Sequence, residues 1–214
     1  MIRFKLFAWA LLVCAPLTAH ANPGWFIGFD AGTSRADAEI KDVFLLGDIT
    51  AEDSASSTGF QLRGGYQFGR FFALELGLAD LGDFEHTFSP DDCPGTVQSC
   101  DVSASTSFRG FLISMIGILP LGNRWSLHAR AGMSEMQIKS RQFNGDDGAE
   151  STREAGAHFS FGVGLKVDEH WQLQLSHSTI EALDFGLGVN GTGVFGVYDV
   201  GDTTLTSIGV NYHW

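Results

Sequence analysis

Apolar and polar residues alternate with a period of two along most of the chain, in stretches near residues 24–34, 57–68, 71–81, 104–118, 125–137, 156–167, 171–180 and 203–214. A period of two is the signature of strands with unlike faces, so eight strands are predicted. In the first, Trp25, Ile27, Phe29 and Ala31 oppose Gly28, Asp30 and Gly32; in the third, Phe72, Leu74, Leu76 and Leu78 oppose Ala73, Glu75 and Gly77. Three of the links are tight: Gly69-Arg70, Leu119 to Arg124, and Asp168 to His170. The other four are long and polar, near 35–56, 82–103, 138–155 and 181–202. Long links at one end and tight turns at the other predict an all-β, up-and-down antiparallel meander without a second domain.

Which face lies inside follows from the make-up of the two faces. The apolar face carries large aromatics and aliphatics; the other is rich in Gly, Ala and Ser with a few long charged residues. The second face is a poor solvated exterior and a good filling for the narrow lumen of an eight-stranded barrel. An arginine on a lipid-facing wall costs about 2–4 kcal/mol near the midplane. The expectation is therefore a transmembrane barrel with its leucines toward lipid and a plugged lumen charge cluster of Asp30, Arg63, Glu75, Arg109, Arg130 and Lys166. Arg109 shares its parity with Phe111, Ile113 and Met115. Trp25, Tyr66, Phe72, Trp125, Trp171, Tyr212 and Trp214 fall near strand ends, where aromatics of a membrane-interface girdle belong.

The N-terminal sequence sharpens the setting. Arg3 and Lys5, the apolar run to Leu17 and Ala19-His20-Ala21 read as a signal peptide over residues 1–21, too short in its apolar part to span a bilayer. The barrel then occupies 22–214. Net charge is −12, and removing Arg3 and Lys5 takes it to −14. That excludes nucleic acid as a partner, because phosphate binding needs clustered Lys and Arg. Cys93 and Cys100 are predicted to form a disulfide, which in an exported chain contributes roughly 2–3 kcal/mol.

GGYQFGRFFALELGLADLG, WSLHARAG, FSFGVGLKV and the closing IGVNYHW resemble the eight-stranded barrel domain of the outer membrane protein A family. The resemblance covers Trp25 to Trp214. It implies the outer membrane of a Gram-negative bacterium, four loops outside the cell and three turns in the periplasm. It also implies insertion by the outer-membrane assembly machinery, which reads Tyr212 and Trp214 in the last strand. Longer relatives continue into a peptidoglycan-binding domain, whereas only the barrel domain is expected here. Relatives carry a charged lumen network; Glu75 and Arg130 stand at matching positions, while Gly164 and Gln174 stand where others hold an acid and a base.

Candidate chemistry is sparse. SHSTIE suggests a His/Ser/acid hydrolase site of a lipid A-modifying barrel, but His177 and Ser178 are adjacent on a strand and point to opposite faces. NGDDG lacks the spaced ligands of a calcium loop. No catalytic site, cofactor or metal is expected. The expected role is structural or surface-interacting, by a monomer in contact with outer-membrane lipid and lipopolysaccharide, whose acidic loops could take a surface ligand. A low-conductance channel for ions or small solutes is the alternative.

Overall fold

Strands that cross hydrocarbon must pair every backbone N–H and C=O, and the only way to leave no edge is to close the sheet. The computed structural model describes residues 23–41, 51–88, 102–142, 149–181, 186–191 and 194–214. The strands are β1 (Gly24–Lys41), β2 (Ala51–Gln67), β3 (Phe72–Phe88), β4 (Val102–Leu121), β5 (Trp125–Gln142), β6 (Ala149–Lys166), β7 (Trp171–Ile180), β8 (Gly186–Gly191) and β9 (Val194–His213). Neighbours pair antiparallel from β1 through β7, β7 pairs with β9, and β9 returns to β1 through Phe26↔His213 to Lys41↔Val197. This is the closed eight-stranded up-and-down barrel that the alternation predicts, its eight staves being β1–β7 and β9.

Two features depart from the expectation. The strands continue well into the segments read as long links, so that β1 reaches Lys41 and β5 reaches Gln142. A ninth strand, β8, lies within the 181–202 link and forms a hairpin on β9 alone. A spanning strand needs only about 9–11 residues. Beyond that length a strand is held by ladder pairing and needs no apolar face, so the apolar alternation stops before the strand does. Residues 1–21, Cys93 and Cys100, and NGDDG lie outside the described residues.

Ladder pairing is not uniform around the wall. The β2–β3 ladder ends at Phe60↔Asp80, and the outer halves of both strands pair only with their other neighbours, β1 and β4. The β6–β7 ladder likewise ends at His158↔Ile180. On β3 the register against β4 shifts between Asp80 and Gly82, and Gly82 has φ +86°, a region that disfavours any side chain. The shift exchanges the parity of β3: Ala73, Glu75, Gly77 and Ala79 face inward below it, Phe84 and His86 above it.

The tight turns are held locally. Gly122 takes φ +73° between Leu121 and Trp125. In the β6–β7 turn, Asp168 Oδ1 accepts hydrogen bonds from the backbone N–H of His170 and Trp171, both at 2.8 Å. Those two donors hold the Asp168 carboxyl below its ordinary range. A depressed carboxyl contributes stability above its unfolded pKa and loses it as pH falls through the folded value. Asp168→Ala should therefore melt earlier than the parent at neutral pH, in a gel assay of heat-modifiable migration, and match it once pH drops well below about 3.9. An equal deficit at both pH values would mean that the charge has no part in holding the turn.

Candidate functional site

The lumen is where the sequence places its charge, and glycine is what makes room there. Directly opposite residues on neighbouring strands have Cβ atoms only about 5 Å apart. Arg63 stands between Gly28 and Gly77, and Asp30 has Gly209 opposite on β9. A Cβ at Gly28 would overlap Asn211 Oδ1, and one at Gly209 would overlap Asp30 Oδ1. With those Cβ atoms absent, the long side chains lie flat across the barrel and reach one another.

The result is one connected network. Arg63 bonds Asp30 through Nε, Glu75 Oε2 through Nη1 at 2.7 Å and Asn211 Oδ1 through Nη2 at 2.9 Å. Arg130 Nε lies 3.2 Å from Glu75 Oε1 as an ion pair without hydrogen-bond alignment, and Arg130 Nη2 donates to Gln174 Oε1 at 3.2 Å. Gln174 donates to Asp30 Oδ1 at 2.6 Å and accepts from Asn211 Nδ2 at 3.0 Å. Two acids thus face two bases, all four nearly fully buried, with two amides closing the ring. Asn211 and Gln174 share the inward parity of their strands, but polarity alone does not reveal that they join the charges.

Two residues grouped with this cluster from sequence belong elsewhere. Arg109 faces outward and pairs with Asp80 at 2.9 Å on the outer wall. β4 carries apolar residues on both parities, Phe108, Leu112 and Ile116 inward and Phe111, Ile113 and Met115 outward, so alternation could not choose a face for it. Lys166 has the inward parity but stands exposed at the short-turn end of the barrel. There it lines an open vestibule of about 650 Å³ together with Arg70, Arg124 and Asp168.

Above the charged layer, on the long-link side, apolar side chains crowd the lumen beside the buried His86, Thr106 and Thr203. Leu81, Phe84, Phe108, Leu112, Met136 and Leu205 are all buried, and the rings of Phe84 and Phe108 meet edge-on at 5.5 Å. The Leu81 carbonyl, displaced by the bulge, accepts from Ser34 Oγ of β1, two staves away behind β2. The sequence reading expects small and charged residues throughout the interior and misses this second layer, since the parity exchange at Gly82 is what brings Phe84 inside. Below the charges, a cavity of about 40 Å³ lined by His128, Gln172 and His213 connects toward the vestibule. That volume is enough for about one water molecule.

The aromatics sort by height. Trp25, Tyr66, Phe72, Trp125, Trp171, Tyr212 and Trp214 all point outward around the short-turn end. Several form edge-on pairs, Trp25–Tyr66 at 5.1 Å and Trp171–Tyr212 at 5.0 Å among them. His177 faces outward and its Nδ1 lies 2.9 Å from Thr206 Oγ1, while Ser178 is buried in the lumen, so the two do not meet. A different pair does: Ser114 Oγ lies 3.1 Å from His158 Nδ1, with both residues buried in the lumen and Ser114 directly opposite Glu75. A nucleophile and base must also reach a substrate, and neither the vestibule nor the small cavity includes this pair.

Residues 6–213 match the sequence model of a family described as the outer membrane protein beta-barrel domain. No curated protein matches the chain. Among solved structures, the outer membrane protein OprG from Pseudomonas aeruginosa is similar with a TM-score of 0.62 at 16% identity, over 89% of this chain and 96% of that one. Neisserial surface protein A is similar with a TM-score of 0.53 at 15% identity, over 91% of this chain and 100% of that one.

Proposed function

The chain belongs to the outer membrane protein β-barrel domain family, and on that premise we propose that it is a closed, non-catalytic barrel that acts through its outer surface. It sits as a monomer in the outer membrane of a Gram-negative bacterium after loss of residues 1–21, inserted by the assembly machinery through its last strand. The long links face outward and the aromatic girdle lies at the periplasmic interface. The observation that carries the reading is the double plug: a neutral ring of Asp30, Arg63, Glu75 and Arg130, and above it an apolar layer around Phe84 and Phe108. A lumen filled by side chains in two unlike layers leaves no wet path through the barrel. The acidic links are then the surface presented to the medium.

The channel reading has one observation in its favour, the vestibule and small cavity that together reach the charged layer from the short-turn end. Single-channel recording of the refolded protein in planar bilayers separates the two. The expected trace is flat, with folding verified by heat-modifiable migration. Discrete steps that change in size or selectivity in Glu75→Gln or Arg130→Gln would replace the plug with a channel.

A further inference from the structure

The outer wall changes shape where β2 and β3 part company. The two strands are paired as far as Phe60↔Asp80, and the bulge at Gly82 then carries β3 toward the lumen. The wall is left concave at that level, with a cleft of about 560 Å³ on its outer side. The cleft is shallow and open to the surroundings of the barrel, so it suits a ligand that lies along the wall. Below, toward the girdle, the cleft is lined by Phe60, Leu62, Leu78 and Phe111, each close to half exposed. Above, toward the long links, it is lined by Arg109 and Arg153 together with Asp80, Glu135 and Gln137.

We propose that this cleft holds one outer-leaflet lipid whose headgroup carries a phosphate, with an acyl chain against the four apolar residues and the phosphate at the two arginines. The order of chemistry along the cleft is the order of chemistry along such a lipid. The electrostatics supply the headgroup preference. Asp80 has both carboxylate oxygens engaged, Oδ1 by the Gly82 N–H at 3.1 Å and Oδ2 by Arg109 Nε at 2.9 Å. That ion pair keeps the Arg109 guanidinium beside the cleft while its side chain stays 63% exposed. Its outer amines remain open as donors, which suits a phosphate. Arg153 is 73% exposed and reaches Glu135 only at 4.0 Å, too far for a hydrogen bond. The ladder register places Arg109, Gln137 and Arg153 in one row across β4, β5 and β6. Two strand spacings put the arginines about 10 Å apart, within reach of one headgroup.

The inference rests on the outer-membrane reading, and the test separates the two. The full mature chain is refolded in detergent, its folding verified by gel migration, and its insertion into phospholipid vesicles measured separately. Retained lipid is then counted by native mass spectrometry after exposure to phosphatidic acid or to diacylglycerol with the same chains. The parent should retain one phosphatidic acid in preference to diacylglycerol by roughly tenfold, the scale of one charge-assisted contact. The R109Q/R153Q double variant, altered only at exposed side chains, should fold and lose that preference. Leu78→Trp, which fills the apolar part, should lose both lipids. Equal retention of the two lipids by the parent, or an unchanged preference in R109Q/R153Q, overturns the site while leaving the barrel reading intact. A parent that does not insert into vesicles overturns both.

Discussion

Arg63→Ala destabilises the barrel by about 3–5 kcal/mol, read from urea titrations of folding into lipid vesicles. Arg63 is the one residue that touches Asp30, Glu75 and Asn211 together. Its loss leaves two carboxylates facing a cavity that has room for about one water molecule. Glu75 keeps Arg130 and Asp30 keeps Gln174, so the network is broken at its centre and survives only at its margins. The cost belongs to the stranded charges, since exchanging a whole buried ionic group for neutral residues of similar size is often close to neutral. Adding Asp30→Asn to Arg63→Met, which leaves Glu75 paired with Arg130, should therefore recover most of the loss. If the double variant is as unstable as Arg63→Ala, the charges are not what the network stabilises, and its packing is.

Phe84→Ala should cost a similar amount, about 3–5 kcal/mol, through the transfer and cavity terms of a large buried ring. Phe84 is fully buried and packs edge-on against Phe108. The variant should stay electrically silent in planar bilayers, because the charged layer below still closes the lumen. Current through Phe84→Ala alone would show that the apolar layer is the barrier and the ionic ring a lining. A loss under about 1 kcal/mol would mean that the outer half of β3 does not hold its place in the barrel.

These two variants also mark the limit of what alternation can reveal. A strict period of two assigns every residue a face as long as the ladder is regular. It puts Asp30, Arg63, Glu75 and Arg130 in the lumen and Leu74, Leu76 and Leu78 of β3 on the wall, where they stand. A single extra residue in the ladder exchanges inside and outside for everything beyond it, and its signal is one glycine among 27. Phe84 is therefore illegible where Glu75 is plain. Arg109 fails for a different reason. Its strand is apolar on both faces, and its outward charge is offset by Asp80 beside it. Strand length is hidden too, because pairing alone sustains the strands past the membrane.

The pairing of β1 with β9 has a consequence in time. Phe26 meets His213 only when the last stave arrives, and the bonds Asp30–Gln174 and Arg63–Asn211 join residues 144 and 148 apart in the chain. Contacts so distant in sequence form late, after the entropy of a long loop has been lost. Until then the sheet has two free edges, and the acids and bases of the unfinished lumen lack their final partners. Driving that intermediate into hydrocarbon would strand both the edges and the charges, so closure and insertion are expected to share one rate-limiting step. A variant weakened only in the β1–β9 seam should slow both processes by the same factor.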